Sequence, residues 1–172
     1  MIRYPRSMGG LLGAVGIAAI LAWVQVQLAW NIVVGDSMLP NLRTGDVVIV
    51  SKRAYLGRDP QRGEIVVVRY RGETIVKRII GLPGEEVEVR NGQAVINGTA
   101  IVEAGLRLGG PLTLGRGRLF DDTYAVVSDN RSLPAAQSIN VVTPRNQILG
   151  RVLFSVPTSK WMGWAFAGRP AS

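Results

Sequence analysis

The chain has 172 residues, of which 47% are hydrophobic, and its formal net charge is +8 at pH 7. It contains no cysteine and no histidine, which excludes disulfide bonds, thiol nucleophiles, Ser-His-Asp triads and the usual catalytic zinc sites. The positive charge comes mainly from scattered arginines. In the absence of a phosphate-binding loop or an RNA-binding aromatic motif, it favours a membrane surface over nucleic acid as its partner.

The N-terminal segment is long and apolar, and residues 7–35 carry no charged side chain. A membrane-spanning helix needs roughly 20 largely apolar residues, so the sequence predicts a short N-terminus over 1–7 and a transmembrane anchor helix over 8–30. Arg3 and Arg6 precede this segment, which places the N-terminus in the cytoplasm and the remaining chain outside the plasma membrane. A cleaved signal peptide and a buried core helix are the alternatives.

Short runs of β-branched residues follow over 31–172, separated by Gly, Pro, Asn and Asp. Asn91-Gly92 is a hairpin signal, and 104–118 is rich in Gly and Leu, so we predict a small hairpin or loop excursion over about 91–120. The pattern predicts a mainly β domain, an antiparallel sheet of sandwich or barrel type. The predicted strands are Val47–Val50, Ile65–Val68, Thr74–Ile80, Val87–Val89, Ala94–Ile96, Tyr124–Val127 and Ile148–Phe154.

A lysine stands out within one predicted strand. Because side chains alternate along a strand, Lys77 shares its face with Ile75 and Ile79. An ammonium group in apolar surroundings loses solvation and its pKa falls, so such a lysine can be neutral near pH 7 and accept a proton. A hydrolase without histidine needs a base of this kind. The alternative is a lysine at a strand edge whose amine reaches water.

A serine follows directly on the apolar segment. Ser37 lies between Gly35 and Pro40, which predicts an accessible turn close to the membrane surface. A backbone N–H group at such a turn can serve as an oxyanion donor. The alternative is a turn serine that hydrogen-bonds its own backbone. Together, Ser37 and Lys77 supply the hydroxyl and the amine that a histidine-free acyl-transfer enzyme requires.

Four segments, in order, resemble the sequence boxes of type I signal peptidases. The matches extend from Gly35 to about Phe154, and four ordered boxes are far more specific than any one of them. Gly35–Leu42 resembles the G-x-S-M-x-P-T-L nucleophile motif, Gly45–Lys52 the second box, Arg62–Val68 with Val76–Glu85 the lysine box, and Ser128–Arg131 the G-D-N-R of the last box.

The resemblance implies a signal-peptidase-like fold and a membrane-bound serine endopeptidase. It would remove signal peptides from exported preproteins after small residues, without a metal or cofactor, at the lipid bilayer. Ser37 would be the nucleophile and Lys77 its general base. Asp129 would pair with Arg78 and brace the lysine strand, with Arg131 as further structural support. The residues that would form the substrate pockets are Val33, Gly35, Met38, Leu42, Ile75 and Val76.

The chain also departs from the family pattern. Asn41 replaces the usual threonine. Pro134 stands where the family has the serine that orients the lysine, and Ala136 where it has an acid. Ser132 or Ser138 is a possible substitute for the missing serine. The alternatives are therefore a catalytically impaired, membrane-tethered binding domain, or a processing peptidase with dedicated substrates such as a pilin or a plasmid-encoded product.

Overall fold

The computed structural model describes residues 13–19, 27–103, 105–106 and 109–158. Residues 13–19 are helical, and strands dominate the other described ranges. None of the helices in these ranges has the length and apolar character needed to cross a membrane. The predicted N-terminus over 1–7 and most of the predicted anchor over 8–30 lie outside the described residues.

The mainly β prediction is confirmed, and all the strand pairs found are antiparallel. Each of the seven predicted strands falls within an observed one. Two 3-10 turns, Ala135–Gln137 and Arg145–Gln147, flank the tenth strand. The strands are β1 Leu28–Ile32, β2 Val47–Ser51, β3 Ile65–Tyr70, β4 Glu73–Gly81, β5 Glu86–Arg90, β6 Gln93–Ile96, β7 Thr99–Ala100, β8 Leu114–Arg118, β9 Thr123–Val127, β10 Val141–Pro144 and β11 Ile148–Val156.

Strand β1 corrects the predicted end of the anchor helix. Leu28–Ile32 is extended and pairs with β2, with Trp30 opposite Ile49. Pairing supplies backbone hydrogen bonds to the edge of β2 and turns Ala29 towards the core, whereas a helix over the same residues would leave that edge open. The prediction that the helix reaches residue 30 is therefore wrong.

Two sheets build the domain. The larger has the strand order β1-β2-β11-β3-β4-β9-β10, and the smaller has the order β7-β6-β5-β8. The predicted excursion over 91–120 is thus a four-stranded sheet that begins earlier, at Glu86. The sheets meet at Gly81, where an added Cβ would overlap with Val87 and press on Ala125. This close approach lets the smaller sheet share a core with β4 and β9.

A buried arginine joins the smaller sheet to the loop after β9. Arg131 is 0% exposed. Its Nε donates to the Ser128 carbonyl at 2.6 Å, and its Nη1 to the Gly92 carbonyl at 2.9 Å. Its Nη2 donates to Oε1 of Glu103 at 2.7 Å. One guanidinium group therefore bonds three chain segments.

Candidate active site

Lys77 lies in the middle of β4 and is only 4% exposed. Ile75 and Ile79 pack in one hydrophobic cluster, whereas Val76 packs in another, so the predicted alternation of faces is confirmed. The Lys77 Nζ atom donates a hydrogen bond to Ser37 Oγ over 2.8 Å. The fold therefore joins two side chains 40 positions apart in the sequence.

Burial lowers the pKa of Lys77 from 10.5 to about 8, and the nearby Asp129 carboxylate partly opposes this shift. Desolvation dominates because the ammonium group loses more solvation on burial than its attraction to the Asp129 carboxylate returns. A large fraction of Lys77 is therefore neutral in mildly alkaline solution. In that form its amine can accept a proton from the Ser37 hydroxyl.

The turn that carries Ser37 is held by the loop after β9. Gly35, with a φ of +87°, adopts the left-handed conformation that glycine tolerates best. The Asn130 N–H donates to the Ser37 carbonyl at 2.9 Å. The Asn130 side-chain amide donates to the Asp36 carbonyl at 3.1 Å. Met38 is buried behind the turn and accepts the Leu42 N–H at its carbonyl.

A buried carboxylate connects the serine turn to the lysine strand. Asp129 is 0% exposed and accepts two bonds from Arg78, Nε to Oδ1 at 2.7 Å and Nη2 to Oδ2 at 2.6 Å. Its Oδ2 also accepts the side-chain amide of Asn41 at 2.8 Å. The expected Arg78–Asp129 pair is present, and Asn41, a departure from the family pattern, joins it. Arg78 follows Lys77 directly, and Asn41 lies four residues after Ser37. By bonding both Arg78 and Asn41, Asp129 helps to fix the position of Lys77 relative to Ser37.

Ser37 and Lys77 open onto a cleft of about 370 Å³. One side is the chain that continues β1 into the serine turn, and the other is the first half of β4. The segment after Pro134 closes a third side. The lining residues are Ile32, Val33, Val34, Gly35, Asp36, Ser37, Met38, Glu73, Thr74, Ile75, Val76, Lys77, Leu133, Gln137, Ser138 and Ile139.

Five of the six predicted pocket residues line this cleft, namely Val33, Gly35, Met38, Ile75 and Val76. The sixth, Leu42, does not. It is 3% exposed and packs into the core beneath the serine turn with Val48 and Val67. The expectation for Leu42 is therefore corrected, since a side chain that is buried in the core presents almost no surface to a substrate.

The two serines proposed to replace the missing family serine have different positions. Ser138 is buried and lines the cleft, and its hydroxyl accepts the side-chain amide of Asn140 at 2.7 Å. Ser132 is exposed, and its hydroxyl donates to Asn130 Oδ1. Of these two serines, only Ser138 lines the cleft that holds Lys77.

Two residues of the network, Asn41 and Asn130, were not predicted to act in the site. The signal for Asn130 was present, because it stands within the matched last box between Asp129 and Arg131. Asn41 was visible only as a departure from the nucleophile motif. Asn41 bonds Asp129, 88 positions away in the sequence, and Asn130 bonds Asp36, 94 positions away. A local sequence pattern carries no information on contacts at such separations.

A sequence profile described as signal peptidase, peptidase S26, matches residues 7–156. The chain belongs to the signal peptidase family. The family resemblance seen in the sequence boxes is thereby confirmed, and its boxes contribute the residues that meet in the cleft.

Individual members of the signal peptidase family resemble the chain over much of its length. Probable signal peptidase I-2 of Synechocystis sp. is 36% identical over 124 residues, covering 67% of this chain. Signal peptidase I of Bacillus amyloliquefaciens is 35% identical over 155 residues, covering 82% of this chain and 83% of that protein. The chain spans only 57% of the length of the Synechocystis relative. A crystal structure of a signal peptidase I from Enterococcus faecalis V583 superimposes with a TM-score of 0.46 at 23% identity, covering 55% of this chain and 97% of that one.

Proposed function

We propose that this member of the signal peptidase family is a membrane-bound serine endopeptidase that removes signal peptides from exported preproteins after small residues. The observation that carries the proposal is the 2.8 Å hydrogen bond between Lys77 Nζ and Ser37 Oγ, at a cleft of about 370 Å³. A serine activated by a desolvated lysine meets the need for a base in a chain without histidine.

In the proposed reaction, Ser37 Oγ attacks the scissile carbonyl while the neutral Lys77 amine takes the hydroxyl proton. The Ser37 N–H donates to the oxyanion that forms. Protonated Lys77 then gives its proton to the leaving amine, and the C–N bond breaks to leave an acyl-enzyme. Water, deprotonated by Lys77, attacks the ester and releases the signal peptide, and Ser37 recovers its proton.

The first half of β4 supports a way of binding an extended peptide. Strand β9 pairs with β4 only from Arg78 to Gly81, so Glu73–Lys77 has β3 as its neighbour on one side and the cleft on the other. A peptide that adds to this edge gains backbone hydrogen bonds irrespective of its sequence. Its alternate side chains then meet Val33, Met38 and Ile75, where limited space favours small residues such as alanine.

The proposal is tested by incubating the protein in detergent with a preprotein that carries an Ala-x-Ala site, and mapping the products by mass spectrometry. Cleavage directly after the second alanine by the wild type, and none by Ser37→Ala, supports the peptidase. If the folded wild type leaves this and several other preproteins intact, the activity proposal fails. The binding-domain reading would then require that Ser37→Ala still retains the preprotein.

A membrane location is proposed with the N-terminus in the cytoplasm and the catalytic domain on the outer side of the plasma membrane. The uncharged stretch over 7–35 after Arg3 and Arg6 supports this arrangement. An apolar face on the larger sheet supports it further. Trp30, Ile49 and Phe154 lie side by side on β1, β2 and β11, and Trp30 is 68% exposed. Ile32, Val47 and Val156 form the next row of this face.

We expect this face to contact lipid. Because the native chain has no cysteine, Phe154→Cys can carry a single environment-sensitive fluorophore such as NBD. In liposomes its emission is expected to shift to shorter wavelength and to be quenched by brominated lipids, since the probe leaves water. Val102→Cys, an exposed site on a loop of the smaller sheet, serves as the control and stays water-like. Equal spectra at the two sites would contradict the contact.

A further inference from the structure

The peptide group between Asp36 and Ser37 is held from one side by Asn130. The Asn130 side-chain Nδ2 donates to the Asp36 carbonyl at 3.1 Å, and the Asn130 backbone N–H donates to the next carbonyl, that of Ser37, at 2.9 Å. Asn130 is 6% exposed. A buried donor in this position is costly to leave unpaired, so both bonds are expected to persist in solution.

The orientation of the Asn130 amide is itself determined by a neighbour. Its Oδ1 accepts the Ser132 hydroxyl at 2.5 Å and the Ser132 N–H at 3.3 Å. The Ser132 N–H can only donate and the Asp36 carbonyl can only accept, so the oxygen of the amide faces Ser132 and the nitrogen faces Asp36. The donor that reaches the Asp36 carbonyl is therefore the NH₂ group, and it cannot be exchanged with the oxygen without placing like groups together.

The planarity of the peptide bond carries this constraint to the other side of the same group. The Asp36 carbonyl and the Ser37 N–H belong to one planar unit, and in a trans peptide they point in opposite directions. The hydrogen bond from Asn130, in the loop after β9, fixes the direction of the Asp36 carbonyl. It therefore also fixes the direction of the Ser37 N–H. Without Asn130 the Asp36 carbonyl keeps only the Leu39 N–H, at a longer 3.3 Å.

We propose that Asn130 is a positioning residue that orients the Ser37 N–H as an oxyanion donor. This inference rests on the proposed function, because an oxyanion forms only if Ser37 attacks a carbonyl. The hydrogen bonds of Asn130 reach the Asp36 and Ser37 carbonyls and Ser132, and not Ser37 Oγ or Lys77 Nζ. Asn130 acts through the Asp36–Ser37 peptide, and its effect should appear in the transition state rather than in substrate binding.

The test compares Asn130→Ala and Asn130→Asp with the wild type in preprotein cleavage. Removal of an oxyanion donor costs about 10²- to 10³-fold in kcat. Misorientation, with Leu39 still bonded to Asp36, is expected to cost roughly 10- to 100-fold, with KM nearly unchanged. Asn130→Asp should be at least as impaired as Asn130→Ala, since its carboxylate faces the Asp36 carbonyl oxygen. Thr44→Ala is the matched control, because Thr44 bonds the Asp36 side chain and not its peptide group. It is expected to keep the wild-type kcat.

A second readout separates positioning from a merely structural effect. A peptide aldehyde ending in alanine adds Ser37 Oγ to its carbonyl and places an oxygen where the oxyanion forms. Its affinity should fall in Asn130→Ala by about the same factor as kcat, whereas the affinity of the matching peptide amide should not change. The pH midpoint of kcat, set by Lys77, should also stay where it is in the wild type.

The outcomes are distinct. A wild type that cleaves and a Ser37→Ala variant that does not, together with an Asn130→Ala variant of normal kcat, would overturn the role of Asn130 and leave the proposed function intact. Parallel losses in aldehyde and amide affinity, or a shifted pH midpoint, would also overturn it, since these follow from a disturbed cleft. If the wild type does not cleave, the proposed function fails and this inference fails with it.

Discussion

Lys77→Met is expected to lower kcat for preprotein cleavage by at least about 10³-fold, because it removes the amine that bonds Ser37 Oγ and is placed to accept its proton. Methionine has a similar length and packs among Ile75 and Ile79 without a charge. The loss should therefore come from chemistry and not from a changed fold. KM should stay within a small factor of the wild-type value, because the lysine is expected to act on the hydroxyl and not on the bound peptide.

The same substitution is expected to stabilise the protein at pH 7. The pKa of Lys77 is about 8 in the folded protein and 10.5 as the reference value, which corresponds to a cost of about 3 kcal/mol for folding with the ammonium charged. Between these pKa values the unfolded chain binds more protons than the native one, so wild-type stability should rise as the pH increases from about 8 towards 10.5. Below pH 8 both states are charged and the full cost remains.

Urea unfolding of both proteins at pH 7 and pH 10 measures this effect. Lys77→Met should exceed the wild type by about 1–3 kcal/mol at pH 7, with part of the relief offset by the lost bond to Ser37. The difference should shrink at pH 10. Lys52→Met is the control, since it makes the same change of side chain at an exposed position. A Lys77→Met variant that is less stable than the wild type at pH 7 would contradict the expectation that burial of the charged Lys77 ammonium destabilises the folded protein.

The activity of the wild type should depend on pH through the protonation of Lys77. If neutral Lys77 is the base, kcat rises with pH and reaches half of its plateau near pH 8. The Asp129 carboxylate raises the pKa of Lys77, so its replacement by asparagine would move the half-maximum to lower pH. A lower pKa of Lys77 leaves more of the amine neutral at a given pH, but it also makes that amine a weaker base.

The parts of this site that the sequence predicted are those determined locally. Alternation along Thr74–Ile80 is a property of any strand, and it placed Lys77 between two isoleucines before any contact was known. The turn at Ser37 follows from Gly35 and Pro40. The local pattern could not predict how deeply each side chain is buried. Leu42 matches a family pocket residue, yet whether it faces a cleft or the core depends on Val48 and Val67 of other strands.

The remaining errors also have a long-range cause. Leu28–Ile32 continues an uncharged apolar stretch and is compatible with a helix or a strand, and the edge of β2, some 20 residues later in the chain, decides between them. Strand β8 has the sequence Leu-Gly-Arg-Gly-Arg, which is poor in β-branched residues, and it forms because β5 offers it a partner.

Arg131→Met is expected to cause the largest loss of stability, about 3–5 kcal/mol. The substitution removes the donors for the Ser128 and Gly92 carbonyls and leaves the Glu103 carboxylate, itself 7% exposed in its side chain, without its cation. Leaving a buried charge without its partner destabilises a protein by more than the intact ion pair stabilises it. Urea unfolding monitored by tryptophan fluorescence measures the change.

A double variant distinguishes the charge from the packing. If the unpaired Glu103 carboxylate dominates the loss, adding Glu103→Leu to Arg131→Met should recover a substantial part of it, and the two changes should be strongly non-additive. Arg90→Met, which breaks an exposed pair with Glu88, should barely alter the unfolding curve. No recovery in the double variant would mean that the lost bonds to Ser128 and Gly92 carry the effect. In either case kcat should fall as well, because Ser128–Arg131 also holds Asp129 against the lysine strand and Asn130 against the serine turn. Arg131 thus links the stability of this loop to the placement of Asp129 and Asn130 in the site.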